Sequence, residues 1–360
     1  MNLDFVSNEE IVQAARLKLD QGSWDYAAGG SESETTLRRN RHAFDRLAFR
    51  PRILVDVSSI DPSTAFLGHR LRIPVLLAPI GSLQVFTPSG GAASAKAAEE
   101  FGTVHVVSSV TAPTLEEIAA SSSAPKVFQL YVHGDMAWTE EIITRVKHAG
   151  YAGFCLTVDV AHYSRRERVM VHRWLTPTRQ VPRARDRNYL GALTWETMDA
   201  IKAMAGLPFM LKGVQTAEDA ALAVEHGVDV IWVSNHGGRQ IDHALGSMAT
   251  LPEIVRAVQG RARIIVDGGV LRGSDVLKAI AVGADAVAIG KLQAWGLAAA
   301  GTAGLVRVLE ILEDEMIATM GLIGVTSIDQ LSPAYVTEAE SVTPPHEMSA
   351  WVNMPLGRIL

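Results

Sequence analysis

Short apolar runs rich in β-branched residues recur along the chain, each followed by small or polar residues and then by a segment of helical periodicity. Eight runs are typical of buried parallel strands: Pro74–Ala78, Val104–Val107, Lys126–Leu130, Phe154–Val158, Phe209–Leu211, Val230–Val233, Ile264–Val266 and Ala286–Ile289. Helices are predicted at Gly91–Glu100, Thr114–Ala120, Thr139–Ala149, Thr194–Met204, Ala217–His226, Leu251–Val258 and Ser274–Val282. Strands that alternate with helices form a parallel sheet with right-handed crossovers, so the pattern predicts an α/β protein with a closed (β/α)8 TIM barrel.

A helical extension is predicted ahead of the barrel, because Ser7 and Glu10 have the spacing of a capping box. Near the other end, apolar residues recur at helical spacing within Ala303–Met320, which favours a helix packed on the barrel. We therefore expect one domain over residues 1–360, with an N-terminal extension at 1–70, the barrel at 71–325 and a C-terminal tail at 326–360.

A doubly wound sheet is the alternative architecture. It would be favoured by a Gly-x-Gly-x-x-Gly sequence after an early strand, and that sequence is absent there. The run Gly290-Lys291-Leu292 is not a Walker motif, since leucine replaces the hydroxyl residue that would bind Mg²⁺. The barrel is therefore the preferred interpretation.

Candidate site residues lie in the last positions of each predicted strand or directly after it, at the end where (β/α)8 enzymes carry their catalytic residues. They are Pro79, Ile80, Gly81, Ser108, Gln129, Tyr131, Thr157, Asp159, Lys212, Ser234, His236, Arg239, Asp267, Gly268, Gly269, Gly290 and Lys291. His236 and Arg239 are three positions apart in a glycine-rich loop, so a base and a carboxylate-binding cation can face one small molecule. Taken alone, that loop could also be a polar turn with a solvated histidine; the convergence from eight strands favours a site.

The last two strands of such barrels usually end at a phosphate site, where glycines expose backbone N–H groups and Lys291 and Arg272 would add positive charge. Ser108, Gln129, Thr157 and Lys212 would suit one edge of a flat heterocycle, with Lys212 stabilising negative charge on it. Each of these side chains could instead serve the barrel backbone.

Composition narrows the function class. The chain of 360 residues is 48% apolar and 20% charged, with a formal charge of −6 and a pI near 6.0, which argues against a general nucleic-acid-binding protein. The single Cys155 excludes an intramolecular disulfide and a multi-cysteine metal centre, and we expect no metal site. No secretory signal or uncharged membrane-length stretch is evident, so we expect no membrane span and a cytoplasmic location.

The connection between Asp159 and Lys212 is unusually long and irregular, and it is rich in arginine. Long irregular loops in compact domains are often lids or binding loops. For the arginines after Arg168, namely Arg173, Arg179, Arg183, Arg185 and Arg187, we keep the interpretation of a solvated surface.

Six segments together resemble one known family. They are SNHGGRQID at Ser234–Asp242, LKGV at Leu211–Val214, DGGVLRGSD at Asp267–Asp275, QLY at Gln129–Tyr131, TVD at Thr157–Asp159 and DYAAGG at Asp25–Gly30. The combination resembles the FMN-dependent 2-hydroxy-acid oxidases and dehydrogenases, which include glycolate oxidase, lactate oxidase, mandelate dehydrogenase and the flavin domain of flavocytochrome b2. The resemblance runs from about Asp4 to about Tyr335.

The resemblance implies a role for each matching residue. His236 would be the base, Asp159 its orienting carboxylate, and Arg166 and Arg239 the substrate carboxylate clamp. Tyr26 and Tyr131 would hydrogen-bond the substrate, and Lys212 would stabilise the reduced anionic flavin. The remaining FMN contacts would come from Pro79, Ile80, Gly81, Ser108, Gln129, Thr157, Ser234, Asp267, Gly268, Gly269, Gly290 and Lys291.

The chain also departs from the family pattern. Arginine is frequent in the family at the positions of Leu271 and Lys291. Here the first position has no positive charge, and the second has a lysine, whose ammonium group cannot form the bidentate contact of a guanidinium. Arg272 is close enough in sequence to compensate. Gly81 and Val110 replace larger residues of glycolate oxidase and related oxidases, which suggests a substrate larger than glycolate, either mandelate-like or long-chain.

The expected reaction is FMN-dependent oxidation of an L-2-hydroxy acid to the 2-oxo acid, by a carbanion or a hydride route. Dioxygen, a quinone and a redox protein all stay open as electron acceptors, and the resemblance implies a homo-oligomer, a tetramer in many relatives. The alternatives are a flavin-dependent isomerase, a nicotinamide-dependent phosphate-binding barrel enzyme, and a non-catalytic ligand-binding barrel. Arg166 with Arg239 argues against the first two, and His236 with Asp159 argues against the third.

Overall fold

A computed structural model describes residues 4–177, 188–342, 344, 346 and 348–351. Three helices come first: α1 at Asn8–Lys18, α2 at Gln21–Ala28 and α3 at Thr35–Asp45. Short strands follow at Leu47–Phe49 (β1), Thr64–Phe66 (β2) and His69–Leu71 (β3). Ser7 caps α1 by accepting from the backbone N–H of Glu10, which is one half of the predicted capping box; the Glu10 carboxylate accepts from the backbone N–H of Val6 instead of that of Ser7.

The described part of the chain contains a closed barrel of eight parallel strands. They are β4 at Val75–Leu77, β5 at His105–Ser108, β6 at Lys126–Leu130, β7 at Gly153–Thr157, β8 at Phe209–Val214, β9 at Val230–Val233, β10 at Arg263–Asp267 and β11 at Ala286–Ile289. Each overlaps one of the eight predicted strands, and the predicted fold class is confirmed. The largest difference is at β8, which continues through Lys212 to Val214, past the predicted end at Leu211.

The helices of the outer layer are α4 at Gly90–Phe101, α5 at Leu115–Ala120, α6 at Met136–His148, α7 at Glu167–Val171, α8 at Trp195–Ala205, α9 at Ala217–Glu225, α10 at Ser247–Val258, α11 at Gly273–Val282 and α12 at Lys291–Ile323. Single 3-10 turns lie at Leu83–Val85, Leu190–Ala192, Ile328–Gln330 and Pro333–Tyr335, and the last strand, β12 at Val336–Glu338, pairs with β1. The capping box of Thr114 and Glu117 is present at the start of α5.

Helix α12 has the length and composition of a membrane-spanning segment. Its backbone leaves the helical conformation at Ala300 and Gly301, so it consists of two helices joined by a kink. Most of its apolar window is buried inside the protein. These features favour a packing role, as predicted for Ala303–Met320.

The interior of the barrel is closed at one end. The β2–β3 hairpin contributes Phe66 and Leu71, which pack with Val104 and Val230 at the starts of barrel strands. The opposite end, where the strands finish, is the one that stays open for a site. The arginines at positions 179, 183, 185 and 187 lie outside the described residues.

We expect the ion pair between Arg41 and Asp275 to dominate the attachment of α3 to the barrel. Both side chains are almost fully buried, and two N–H groups of Arg41 donate to the two carboxylate oxygens at 2.7 Å. Asp275→Ala would leave a buried guanidinium without its main partner, so the free energy of unfolding should fall by about 3–5 kcal/mol. Urea titration monitored by circular dichroism measures this change.

The matched control is the bidentate but exposed pair of Glu116 and Arg145, with N–O distances of 2.7 and 3.0 Å. Glu116→Ala should cost no more than about 1 kcal/mol, because exposed ion pairs are screened by solvent. Equal losses in the two variants would contradict the importance assigned to Arg41 and Asp275.

Candidate active site

A cavity of about 220 Å³ lies at the open end of the barrel. Fifteen of the residues predicted from the sequence line it: Tyr26, Pro79, Ile80, Gly81, Val110, Tyr131, Arg166, Lys212, His236, Arg239, Asp267, Gly268, Gly269, Gly290 and Lys291. They come from strand ends along the whole barrel and from α2 in the N-terminal extension. The fold therefore brings together side chains that are far apart in sequence.

His236 is held between a carboxylate and a phenol. Its Nδ1 lies 3.0 Å from Asp159 Oδ1, and its Nε2 lies 3.3 Å from the hydroxyl of Tyr131. Because Nδ1 faces a carboxylate it carries the proton, which leaves Nε2 as the basic atom on the cavity side. Burial lowers the pKa of His236, although Asp159 opposes that effect. Burial alone would raise the pKa of Asp159, but His236 and Lys212 outweigh it and the carboxyl pKa is lowered.

The loop that carries His236 rests on the N-terminal extension. The backbone of Gly238 has φ of 73°, and a Cβ at this position would lie 2.6 Å from the backbone N of Leu37, so only glycine fits. The side-chain amides of Asn40 and Asn235 donate to each other at 2.9 and 2.7 Å. Helix α3 thus fixes the position of the histidine loop.

Two guanidinium groups share the cavity wall. Nη1 of Arg239 donates to the carbonyl oxygens of Tyr26 at 2.6 Å and Gly29 at 2.9 Å. Arg166 donates to Gln240 Oε1 at 3.1 Å and to the carbonyl oxygen of Arg239 at 3.2 Å. Burial, together with the charge of Arg166, lowers the pKa of Arg239 to about 9. An anion bound between the two arginines would relieve this repulsion, so the site favours an anionic ligand.

Lys212 is buried at the end of β8 in a network of charged and polar groups. Its Nζ donates to Ser234 Oγ at 2.8 Å and lies 3.3 Å from Asp267 Oδ2, while Ser234 Oγ donates to Asp267 Oδ1 at 2.7 Å. Burial would lower the pKa of Lys212, but Asp267 and Asp159 outweigh it, and the pKa is raised. Lys212 is therefore a permanent cation at the floor of the cavity.

Two buried polar side chains test whether a flat cofactor fits here. Gln129 and Thr157 are fully buried at the ends of β6 and β7, and neither amide atom of Gln129 nor the hydroxyl of Thr157 has a hydrogen-bond partner among the described residues. An unsatisfied buried polar group costs about 1–3 kcal/mol. A ring system with donors and acceptors along one edge would satisfy them, so these residues fit an isoalloxazine. Ser108, also buried, ends the adjacent strand β5.

At the expected phosphate end, Gly268 and Gly269 have φ of 91° and 90°, in the region open to glycine. Nζ of Lys291, the first residue of α12, donates to the backbone carbonyls of Ala27, Ala28 and Gly29. It thereby links the phosphate end to helix α2.

Arg272, at the start of α11, forms an ion pair. Its guanidinium lies 2.9 Å from Glu315, and Arg272 is not among the residues that line the cavity. Its contribution at the phosphate end stays a prediction. The additional cation that does line the cavity is Arg41 from α3.

The substrate wall differs from the simple enlargement expected from the sequence. A Cβ at position 81 would lie only 2.9 Å from Val110 Cγ2, so the valine already occupies the space beside the glycine. The ring of Tyr26 stacks on Phe86 and lies 5.4 Å from that of Trp174, measured between centroids. The wall is apolar and aromatic.

Sequence reasoning missed several residues of this wall: Phe86, Val160, Val169, Trp174, Leu175, Thr176 and Leu190. Six of the seven belong to the connection after β7, whose length and irregularity favoured a lid or binding loop, but no contact was predicted for these six residues. The signal for Trp174 is weak, because its partner Gly22 lies about 150 positions earlier: the indole occupies the space that a Cβ of Gly22 would fill. The exposed Tyr163 also lines the cavity.

Comparison with known proteins agrees with this geometry. Residues 15–338 match the family model described as FMN-dependent dehydrogenase. The chain is 39% identical over 352 residues to an L-lactate oxidase of Nostoc sp., with 91% of this chain and 96% of the relative covered. It is 37% identical over 354 residues to glycolate oxidase of Spinacia oleracea, covering 93% and 96%.

Solved structures give the same result. A mandelate oxidase structure with 3,3-difluoro-2-hydroxy-3-phenylpropionic acid matches with a TM-score of 0.87 and 38% identity, over 93% of this chain and all of the other. This relationship sets aside the isomerase, the nicotinamide-dependent enzyme and the non-catalytic barrel. The chain belongs to the family of FMN-dependent 2-hydroxy-acid oxidases and dehydrogenases.

Proposed function

We propose that the protein oxidises an L-2-hydroxy acid larger than glycolate, mandelate-like or long-chain, to the 2-oxo acid. The observation that carries the proposal is the arrangement of one basic imidazole nitrogen and two guanidinium groups around one cavity. A 2-hydroxy acid offers a proton to the base and a carboxylate to the cations, and planar guanidinium forks match a carboxylate in geometry as well as in charge.

FMN would be held by Lys212, Gln129 and Thr157 along its ring, by Ser108, Ser234 and backbone groups of Pro79 to Gly81, and by Asp267 to Gly269 with Gly290 and Lys291 at its ribityl and phosphate end. When bound, FMN supplies an acceptor for the two electrons that leave the substrate carbon. His236 Nε2 takes the proton, and Asp159 stabilises the imidazolium that results. Tyr131 and Tyr26 place hydroxyl groups at the cavity.

We further propose a soluble, cytoplasmic homo-oligomer, a tetramer by analogy with relatives. The names of the lactate and glycolate oxidases favour dioxygen as electron acceptor, with a quinone or a redox protein as the other candidates. A plant relative, from Arabidopsis thaliana, is named as peroxisomal. Oxygen consumption compared with reduction of a soluble quinone by the purified protein decides the acceptor.

The pH dependence of the reaction should report His236. Because burial lowers the pKa of His236, kcat/KM should rise with pH along a limb whose midpoint lies below the ordinary histidine pKa. Asp159→Asn removes a charge that raises this pKa, so the rising limb should move to lower pH while the plateau falls. Stopped-flow flavin reduction across pH measures both effects.

His236→Ala is the matched control for that experiment. It should bind FMN, lose the pH-dependent limb and reduce its flavin about 10²–10⁴-fold more slowly. A limb that Asp159→Asn moves to higher pH, or reduction of His236→Ala at the wild-type rate, would contradict the assigned roles.

The carboxylate clamp should be sensitive to guanidinium geometry. Arg239→Lys replaces a fork by a single mobile donor, so KM should rise and kcat should fall, with a combined loss in kcat/KM of about 10–100-fold. Arg145→Lys, at an exposed ion pair outside the cavity, is the control and should behave as wild type. Unchanged kinetics for Arg239→Lys would mean that the carboxylate binds elsewhere.

The size of the cavity wall should set the substrate preference. Anaerobic mixing with a panel of hydroxy acids should bleach the flavin absorbance, with mandelate-like or long-chain acids ahead of glycolate in kcat/KM. Val110→Trp should reverse that order, since each methylene-sized change in an apolar pocket is worth about 1–3 kcal/mol. Val171→Trp, at an exposed valine outside the cavity, is the control.

Absence of any bleaching would overturn the proposed function itself. A wild type that prefers glycolate would overturn only the size inference, as would equal losses for all acids in Val110→Trp.

A further inference from the structure

A tryptophan inside the barrel extends the charged network beneath the cavity. Trp232 of β9 is fully buried among the interior residues of the barrel, with Cys155 and Met210 as neighbours in the same apolar cluster. Its indole Nε1 donates to Asp267 Oδ2 at 3.0 Å. The side chain thus introduces a directed polar contact into an otherwise apolar interior.

The acceptor of this bond is shared with Lys212. Asp267 Oδ2 receives the indole N–H and also lies 3.3 Å from Lys212 Nζ, while Ser234 Oγ donates to the other oxygen. A hydrogen bond to an ionised carboxylate withdraws charge from the oxygen that accepts it. Trp232 therefore weakens the attraction of Asp267 for Lys212 and leaves more of the lysine charge directed at the cavity.

Burial alone does not explain the bond. Trp295 and Trp351 are also buried, and their indole N–H groups have no hydrogen-bond partner among the described residues. This chain therefore accommodates buried tryptophans as space-filling groups without a polar contact. The N–H of Trp232 is the one that meets the carboxylate beside Lys212.

We propose that Trp232 is a positioning residue that raises the reduction potential of bound FMN by loosening the hold of Asp267 on Lys212. The inference rests on the proposed function, in which Lys212 stabilises negative charge on the flavin. Trp232 is not among the residues that line the cavity, so it would act through Asp267.

The experiment compares holoenzyme with and without the indole N–H. Trp232→Phe keeps an aromatic ring below Lys212, whose Nζ is 5.5 Å from the indole centroid, but removes the donor. Sulfite adds reversibly to oxidised flavin and places negative charge on it, so the Kd for sulfite reports how strongly Lys212 stabilises that charge. We expect that Kd to rise about tenfold and the midpoint potential to fall by about 30 mV, the equivalent of tenfold for a two-electron couple.

Trp295→Phe is the matched control, because it removes a buried indole without breaking a hydrogen bond, and it should leave both quantities unchanged. If Trp232→Phe does not fold, benzothienylalanine at position 232 replaces the N–H by sulfur and keeps the ring shape. An unchanged sulfite Kd, or a more positive potential, in either form would overturn the proposal.

A double-mutant cycle locates the effect. In an Asp267→Asn background, Trp232→Phe should no longer change the sulfite Kd, since the carboxylate that mediates the effect is gone. Full retention of the change would show that Trp232 acts by another route. Purified wild-type protein that binds no FMN would refute the proposed function. If the wild type binds FMN and is bleached by hydroxy acids, but Trp232→Phe has the same midpoint potential as the wild type, only this inference is refuted.

Discussion

Closure of the sheet, by the pairing of β11 with β4, is the constraint on which the rest of the structure depends. Because the paired strands are all parallel, they all finish at the same end of the barrel, and closure leaves no strand edge exposed. Residues as distant as Tyr131 and Lys291 therefore reach one cavity. The β2–β3 hairpin fills the other end of the barrel, so the interior is open only at the end that contains the cavity.

The site concentrates charge where water is scarce, and each charge is stabilised by a specific neighbour. His236 is hydrogen-bonded to Asp159, Lys212 forms an ion pair with Asp267, and Arg239 donates to two backbone carbonyls. Burial and the neighbouring charge of Arg166 together lower the pKa of Arg239. An anion bound between the two arginines would remove this electrostatic cost, so the free protein favours an anionic ligand.

Strand positions were predictable because each buried strand is a short apolar run whose pattern is local. The candidate site residues could be proposed from the sequence because many of them follow those runs directly, as His236 follows β9. Contacts between distant segments were not predictable. The ion pair of Arg272 with Glu315, for example, could not be inferred from the neighbours of Arg272 in sequence. The space at Gly81 was counted as free, whereas Val110 fills it.

The paired amides of Asn40 and Asn235 have a consequence for how the protein is made. They join positions 195 apart in the chain, so this pair cannot hold the loop that carries His236 until the strands from β4 to β9 have been synthesised. Closing such a long segment of chain costs conformational entropy before the stabilising contact forms, so non-local contacts of this kind form slowly. Assembly of the histidine loop therefore belongs to a late stage of folding, and a chain arrested earlier would not yet hold His236 beside the other residues of the cavity.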